Sequence, residues 1–241
     1  MSLIRPVRLP LVLIVLLSIA EPAVHASNKS LPVVRWKAGS PGCEFQLAED
    51  GHYRWKMASS DLTMTLIVDS KELTKSRFRL YRMLPVYLSV NYSGKGKVEF
   101  PAVAKMEFVR HHHVIEGYLN PDELTNRMQN DVDSLAFETQ KEIKKHPEKS
   151  EEKLAVARED EKEISELIEF LSTQSLQEAI LTPGNPEVHG WLFYGTKNKW
   201  IGPWKSREDF ILRVGLKDSI WEFPFSLPPD NSNVTLRKRE E

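Results

Sequence analysis

Three consecutive histidines, His111, His112 and His113, form the most conspicuous group of side chains that could do chemistry in this chain. Imidazole is a good ligand for zinc, copper and nickel. Successive residues of a strand point to opposite faces, so His111 and His113 would share a face and His112 would not. The pattern predicts a transition-metal site at His111 and His113, and the alternative is a solvated run at the end of a strand. The sequence does not supply a complete set of ligands; the further candidates are Glu107, Glu116, His52 and His189.

Two tryptophans, Trp200 and Trp204, stand on either side of a Gly-Pro turn between expected strands. Flat aromatic side chains on a loop can stack on a sugar ring or receive an apolar anchor of a partner protein. Trp200 and Trp204 are therefore predicted to contact a ligand or partner. The alternative is a loop that folds its tryptophans back over the edge of the β structure.

Residues 148–169 carry nine acidic side chains against four basic ones. The usual explanation for such a segment is a solvated helix face. A basic partner surface or a divalent cation would also suit it, although the spacing of a calcium-binding EF-hand loop is absent from the sequence.

Motifs of known catalytic sites are missing from the sequence. It contains no G-x-S-x-G nucleophile elbow, no glycine-rich phosphate loop and no dinucleotide fingerprint. Cys43 is the only cysteine, so an internal disulfide is impossible, and the residue is either a small buried hydrophobe or a free thiol. These observations leave catalytic activity open and favour a protein that is not an enzyme.

Residues 1–26 have the three parts of a secretory signal peptide. Arg5 and Arg8 precede an apolar run from Leu11 to Ala20, and small residues end the segment at Ala26. A membrane anchor is the rival interpretation, but the run supplies only about half of the roughly 20 apolar residues that a spanning helix needs. We therefore expect cleavage after Ala26, no stable membrane span afterwards, and a location in the periplasm or the external medium.

The charge balance argues against a nucleic-acid partner. Removing Arg5, Arg8 and Glu21 with the leader changes the formal net charge from −1 to −2. Proteins that bind nucleic acids usually carry a basic footprint. An envelope or extracellular protein or a glycan is the expected partner class, and the oligomeric state is not indicated.

The elements that must position these residues change type along the chain. Apolar and polar residues alternate from Cys43 to Phe100 and again in 188–227, which predicts strands. Between them, Asn120 and Pro121 begin a helical pattern that breaks at Pro147 and continues to about 172, with a further helical turn expected over 176–181.

This order predicts a mainly β protein with an α insertion. Residues 27–229 are expected to form one antiparallel immunoglobulin-like β-sandwich, with a helical hairpin inserted at about 121–181 and a disordered tail at 230–241. A β domain followed by a separate helical domain is the alternative, and it would leave the last strands without partners.

Three late segments carry a resemblance. Residues 190–194 (GWLFY), 210–214 (FILRV) and 221–225 (WEFPF) resemble the closing strands of exported immunoglobulin-like proteins of unknown function. The resemblance covers less than a quarter of the chain. It implies a sandwich of two sheets and no particular activity.

The leading functional expectation is an exported, non-enzymatic interaction module that uses the helical hairpin or the Trp200–Trp204 loop as its contact surface. One alternative is a metal-binding protein or metal-dependent enzyme centred on His111 and His113. The other is carbohydrate binding through Trp200 and Trp204.

Overall fold

Alternating apolar and polar residues form most of the described strands. The structure, a computed structural model, describes residues 31–48, 52–69, 81–100, 103–195, 207–216 and 218–229. The described strands are β1 (Val33–Arg35), β2 (Cys43–Leu47), β3 (His52–Ser59), β4 (Leu62–Asp69), β5 (Met83–Tyr92), β6 (Val98–Phe100), β7 (Val103–Phe108), β8 (Val114–Gly117), β9 (Ala179–Leu181), β10 (Glu187–Gly195), β11 (Glu208–Leu216) and β12 (Ser219–Leu227).

Ten of these strands form two five-stranded sheets. The first sheet has the order β1-β12-β11-β7-β8, and the second has the order β10-β5-β4-β3-β2. All neighbouring strands in them run antiparallel except β1 and β12, which are parallel. Because β10 pairs with β5, strands from before and after the helices share the second sheet. The last strands therefore have partners, and the alternative of a β domain followed by a separate helical domain is wrong.

Side chains of both sheets form one main core. In β4 the alternate residues Leu62, Met64, Leu66 and Val68 are buried while their neighbours are partly exposed, as the alternation predicts. The rings of Trp55 in the second sheet and Phe225 in the first lie 5.3 Å apart between their centroids. The two sheets therefore bury their apolar faces in a common cluster, against which the half-buried Cys43 also packs.

Two long helices follow β8 and form the helical hairpin. Helix α1 spans Pro121–Lys145, a short 3-10 helix spans Pro147–Lys149, and helix α2 spans Ser150–Gln174. The Asn120 side chain caps α1 by accepting hydrogen bonds from the backbone N–H groups of Asp122 and Glu123, which confirms the predicted start. Among the helices of the described residues, none combines the length and the apolar character that crossing a bilayer requires.

The segment after α2 differs from the prediction. The further helical turn expected over 176–181 is absent, and β9 pairs with β6 in a small separate sheet. Leu181, opposite Val98, is completely buried in the main core. Burial against a strand more than 80 residues away outweighs the local helical pattern, which is why the sequence pattern alone misled.

The base of the helical hairpin packs on the outer face of the second sheet. Met83 and Phe193 of that sheet form a second core with the helices, whose contributions are Leu124, Met128, Ile164, Leu167 and Leu171. All five of these helical residues lie near the first turns of α1 or the last turns of α2. The far half of the hairpin therefore takes no part in this core.

Both ends of the hairpin are attached to β10. Before α1, the Leu119 N–H donates to the carbonyl oxygen of Phe193 at 2.7 Å. After α2, the Leu176 N–H donates to the carbonyl oxygen of Trp191 at 2.9 Å. These bonds cover part of the free edge of β10, which would otherwise expose unpaired backbone groups.

Candidate functional site

A cavity of about 810 Å³ lies between the helical hairpin and the adjoining strand ends. Its volume is within the range of roughly 300–1,000 Å³ that is usual for ligand sites. One part of its wall is apolar and consists of Leu119, Leu124, Leu135, Ile164 and Leu167. Three of these, Leu124, Ile164 and Leu167, also belong to the second core. The cavity is thus a continuation of that core which no side chain of the described residues fills.

The sequence of α2 explains why the space is empty. Ile164, Leu167 and Leu171 form the apolar stripe of this helix, and its next position, one turn earlier, is Asp160. Asp160 and Leu135 line the cavity together, and both also line a smaller cavity of about 300 Å³ farther along the hairpin. A short, charged and exposed side chain thus interrupts the apolar stripe of α2 between the two cavities.

Tyr81 and Asp131 form a fixed polar pair in the wall. The Tyr81 hydroxyl donates to Oδ2 of Asp131 at 3.2 Å. The pKa of Tyr81 is raised to about 12. Burial is the largest cause, and the negative charge and the hydrogen bond of Asp131 add to it. The phenol is therefore neutral at physiological pH and remains a hydrogen-bond donor to Asp131.

The charged groups of the wall have a negative balance. Among the described residues that line the cavity, four carboxylates face two guanidinium groups, which gives a formal charge of −2; these residues are Glu116, Asp131, Asp160, Glu163, Arg82 and Arg127. The side chains of Glu116 and Asp160 make no hydrogen bond or ion pair with other described residues. The wall therefore offers apolar surface together with carboxylates that are not neutralised within the described part of the chain.

The three histidines lie in the turn between β7 and β8, and the prediction that they lie in a strand is wrong. His112 and His113 have left-handed backbone angles, with φ of 57° and 56°. The Val114 N–H donates to the carbonyl oxygen of His111 at 3.3 Å and closes the turn. Two positive φ values in the centre are typical of a type I′ turn, in which a hairpin usually carries Asn-Gly.

The turn directs His111 and His113 to different glutamates. Nε2 of His111 lies 3.1 Å from Oε2 of Glu208. Nδ1 of His113 lies 2.6 Å from Oε1 of Glu107. Across the described residues, no three His, Cys, Asp or Glu side chains stand where they could share a metal ion. The metal site at His111 and His113 stays a prediction, and the structure adds no third ligand to it.

Glu107 also begins a line of charges across the outer face of the first sheet. The Arg213 guanidinium donates to Glu107 at 2.5 Å and to Glu222 at 2.7 Å, and Arg35 donates to Glu222 at 2.7 Å. The hydrogen bond from His113 is the main cause that lowers the pKa of Glu107, with Arg213 adding to it against the effect of burial. Burial raises the pKa of Glu222, but Arg213 and Arg35 outweigh it and the net pKa is lowered.

The remaining predicted contact residues, Trp200 and Trp204, lie outside the described residues, so their role stays a prediction. The acid-rich segment 148–169 belongs almost entirely to α2, where most of its side chains are exposed. It contributes Asp160 and Glu163 to the cavity.

Comparison of the chain with protein-family models, with curated proteins and with solved structures gives no match.

Sequence reasoning missed the cavity, although one signal of it was present. Asp160 stands four residues before Ile164, in line with the apolar stripe of α2. The other polar wall residues come from several elements: Tyr81 and Arg82 lie just before β5, Glu116 lies in β8, Arg127 and Asp131 lie in α1, and Glu163 lies in α2. Their proximity follows from how these elements pack together.

Proposed function

We propose that this protein is an exported, non-enzymatic binding module that holds a ligand in the cavity between its helical hairpin and its second sheet. The observation that carries this proposal is the unfilled contact between the helices at Leu135 and Asp160. In this proposal the framework is an immunoglobulin-like β-sandwich with the hairpin inserted into it. The two five-stranded sheets and their common core support that architecture, and the leader-like residues 1–26 support export.

Stability supports a functional origin for the cavity. Leu119 and Leu135 line the cavity and are only half-buried, so packing contacts that would stabilise the fold are not made there. A departure from local design rules without an evident structural gain is typical of functional sites. Asp160 is such a departure, since it interrupts the apolar stripe formed by Ile164, Leu167 and Leu171.

The chemistry of the wall favours a ligand with a substantial apolar part. The apolar leucine and isoleucine side chains offer no hydrogen bonds, so burying many hydroxyl groups of a glycan against them would be costly. An apolar body, in contrast, would gain by leaving water.

Binding of the uncharged dye Nile red, whose fluorescence rises in apolar surroundings, tests this proposal. Leu135→Trp places a larger side chain in the cavity and should weaken dye binding by at least about tenfold. Phe137→Trp is the matched control, because Phe137 is 66% exposed and lines neither cavity. It should bind the dye as the original protein does.

The proposal fails if all three proteins bind the dye equally, or if the original protein does not bind it. Thermal unfolding of each variant shows whether the fold is retained, so a loss of binding can be assigned to the cavity.

A further inference from the structure

We infer that the ligand of this cavity is a small cationic amphiphile, that is, a molecule with an apolar body and one positively charged group. This inference rests on the proposed function and adds the charge of the ligand to it. The polarity of the wall and the positions of Glu116 and Asp160 support it.

The net charge of the wall favours a positively charged ligand. Carboxylates outnumber guanidinium groups by four to two in the part of the cavity wall that the structure describes. Tyr81 holds Asp131 by a hydrogen bond, whereas Glu116 and Asp160 have no partner among the described residues. A cation would therefore meet carboxylates whose charge the described residues do not offset, and an anion would meet net repulsion from the described wall.

The position of Asp160 places the charged group of the ligand. Asp160 lines both the main cavity and the smaller one beyond it, and Ile164 lies one turn closer to the second core. An ammonium group beside Asp160 leaves the apolar body free to lie along Ile164 and Leu167. The ligand would then fill the contact that the two helices leave open.

The magnitude of the preference is limited by solvent. Asp160 is an exposed residue, and ion pairs at exposed positions are worth little because water and salt screen them. We expect the positive charge to improve affinity by about three- to fivefold. The preference should also shrink as salt is added.

Three probes with eight-carbon chains test the inference on the full-length protein: octyltrimethylammonium, 1-octanol and octanoate, whose eighth carbon is the carboxylate. Titration calorimetry should give the tightest binding for octyltrimethylammonium and the weakest for octanoate. Asp160→Asn removes the charge and keeps the shape, so it should bring octyltrimethylammonium close to 1-octanol. Glu161→Gln, a change of the neighbouring acid that lines neither cavity, should leave the order unchanged.

The possible results separate the two proposals. If octanoate binds best, or if the three probes bind equally and Leu135→Trp abolishes all binding, the cationic preference is wrong and the binding cavity stands. If Asp160→Asn leaves the preference for the ammonium unchanged, the role given to Asp160 is wrong. If Leu135→Trp binds every probe as well as the original protein does, both proposals fail.

Discussion

At the residue scale, Arg213 holds two carboxylates that water scarcely reaches. Glu107 and Glu222 are 7% and 6% exposed, although they lie on the outer face of the first sheet. Arg213 bonds to both, and Arg35 and His113 bond to their remaining oxygens. Carboxylates this buried depend on their partners, since an uncompensated charge is expensive away from water.

Arg213→Met should therefore destabilise the protein strongly. We expect the free energy of unfolding at pH 7 to fall by about 3 kcal/mol, because both carboxylates lose their shared partner. Urea denaturation followed by tryptophan fluorescence measures the change. Lys105→Met is the control, since Lys105 is exposed and lies opposite Arg213 in the register of β7 and β11; it should cost less than about 0.5 kcal/mol.

The same carboxylates predict how stability depends on pH. The pKa values of Glu107 and Glu222 are lowered in the folded protein, so their contribution is present above the usual glutamate pKa of about 4.3 and is lost as pH falls through the lowered values. The original protein should lose stability below about pH 4.3. The Arg213→Met variant has less of this contribution to lose. The difference in the free energy of unfolding between the two proteins should therefore become smaller as the pH falls. A constant difference between pH 7 and pH 3 would contradict this assignment.

His112 gives a second prediction at this scale. A left-handed backbone costs an ordinary residue about 1–2 kcal/mol, and glycine avoids this cost while losing more freedom on folding. His112→Gly should therefore raise the free energy of unfolding by a net amount of about 0.5 kcal/mol. Equilibrium denaturation measures the gain. A loss of more than about 1 kcal/mol would mean that the His112 side chain stabilises the turn.

At the element scale, the return of the chain from α2 depends on Gly190. A Cβ atom at this position would lie 2.6 Å from the backbone N and Cα of Leu176. Such contacts cannot be relieved by rotating a side chain, so the returning segment must move away from β10. The glycine thus permits the hydrogen bond between Leu176 and Trp191 that holds the end of the helical hairpin.

Gly190→Ala is accordingly expected to lower the free energy of unfolding by about 2 kcal/mol. Amide hydrogen exchange at Leu176 should become faster, because its hydrogen bond to Trp191 is strained. Gly117→Ala provides the matched control, since a Cβ atom there meets no other atom within 4 Å. Equal effects of the two substitutions would show that the close approach at Gly190 does not limit stability.

Sequence patterns predicted the elements better than the turns. The alternation in β4 and the cap at Asn120 depend on neighbouring residues, and both are confirmed. The His111–His113 turn depends instead on the pairing of β7 with β8, and β9 depends on its distant partner β6. The conformational preferences of neighbouring residues do not show which distant strand a segment pairs with.

At the scale of the whole molecule, filling the cavity should raise the stability of the fold and weaken ligand binding. Replacing Asp160 with leucine extends the apolar stripe of α2 into the cavity. Cavity filling commonly raises stability by about 0.5–2 kcal/mol. The original sequence is therefore expected to be less stable than this variant.

Asp160→Leu should therefore raise the free energy of unfolding by about 1 kcal/mol and weaken Nile red binding. These two effects have opposite signs, whereas a variant that had simply misfolded would lose both stability and dye binding. Glu161→Leu changes the adjacent acid outside the cavity and should alter neither quantity appreciably. Higher stability with unchanged dye binding would place the ligand elsewhere.

The sequence by itself determined the mainly β composition, the two helices and their start at Asn120, because these follow from the spacing of apolar residues and from local hydrogen bonds. Only the tertiary structure decided which strands are neighbours, that Arg213 reaches both Glu107 and Glu222, and that Asp160 leaves a cavity opposite Leu135. These features join residues that are far apart in the chain. They depend on how the hairpin and the sheets pack together, and the free energy of that packing comes from contacts throughout the fold.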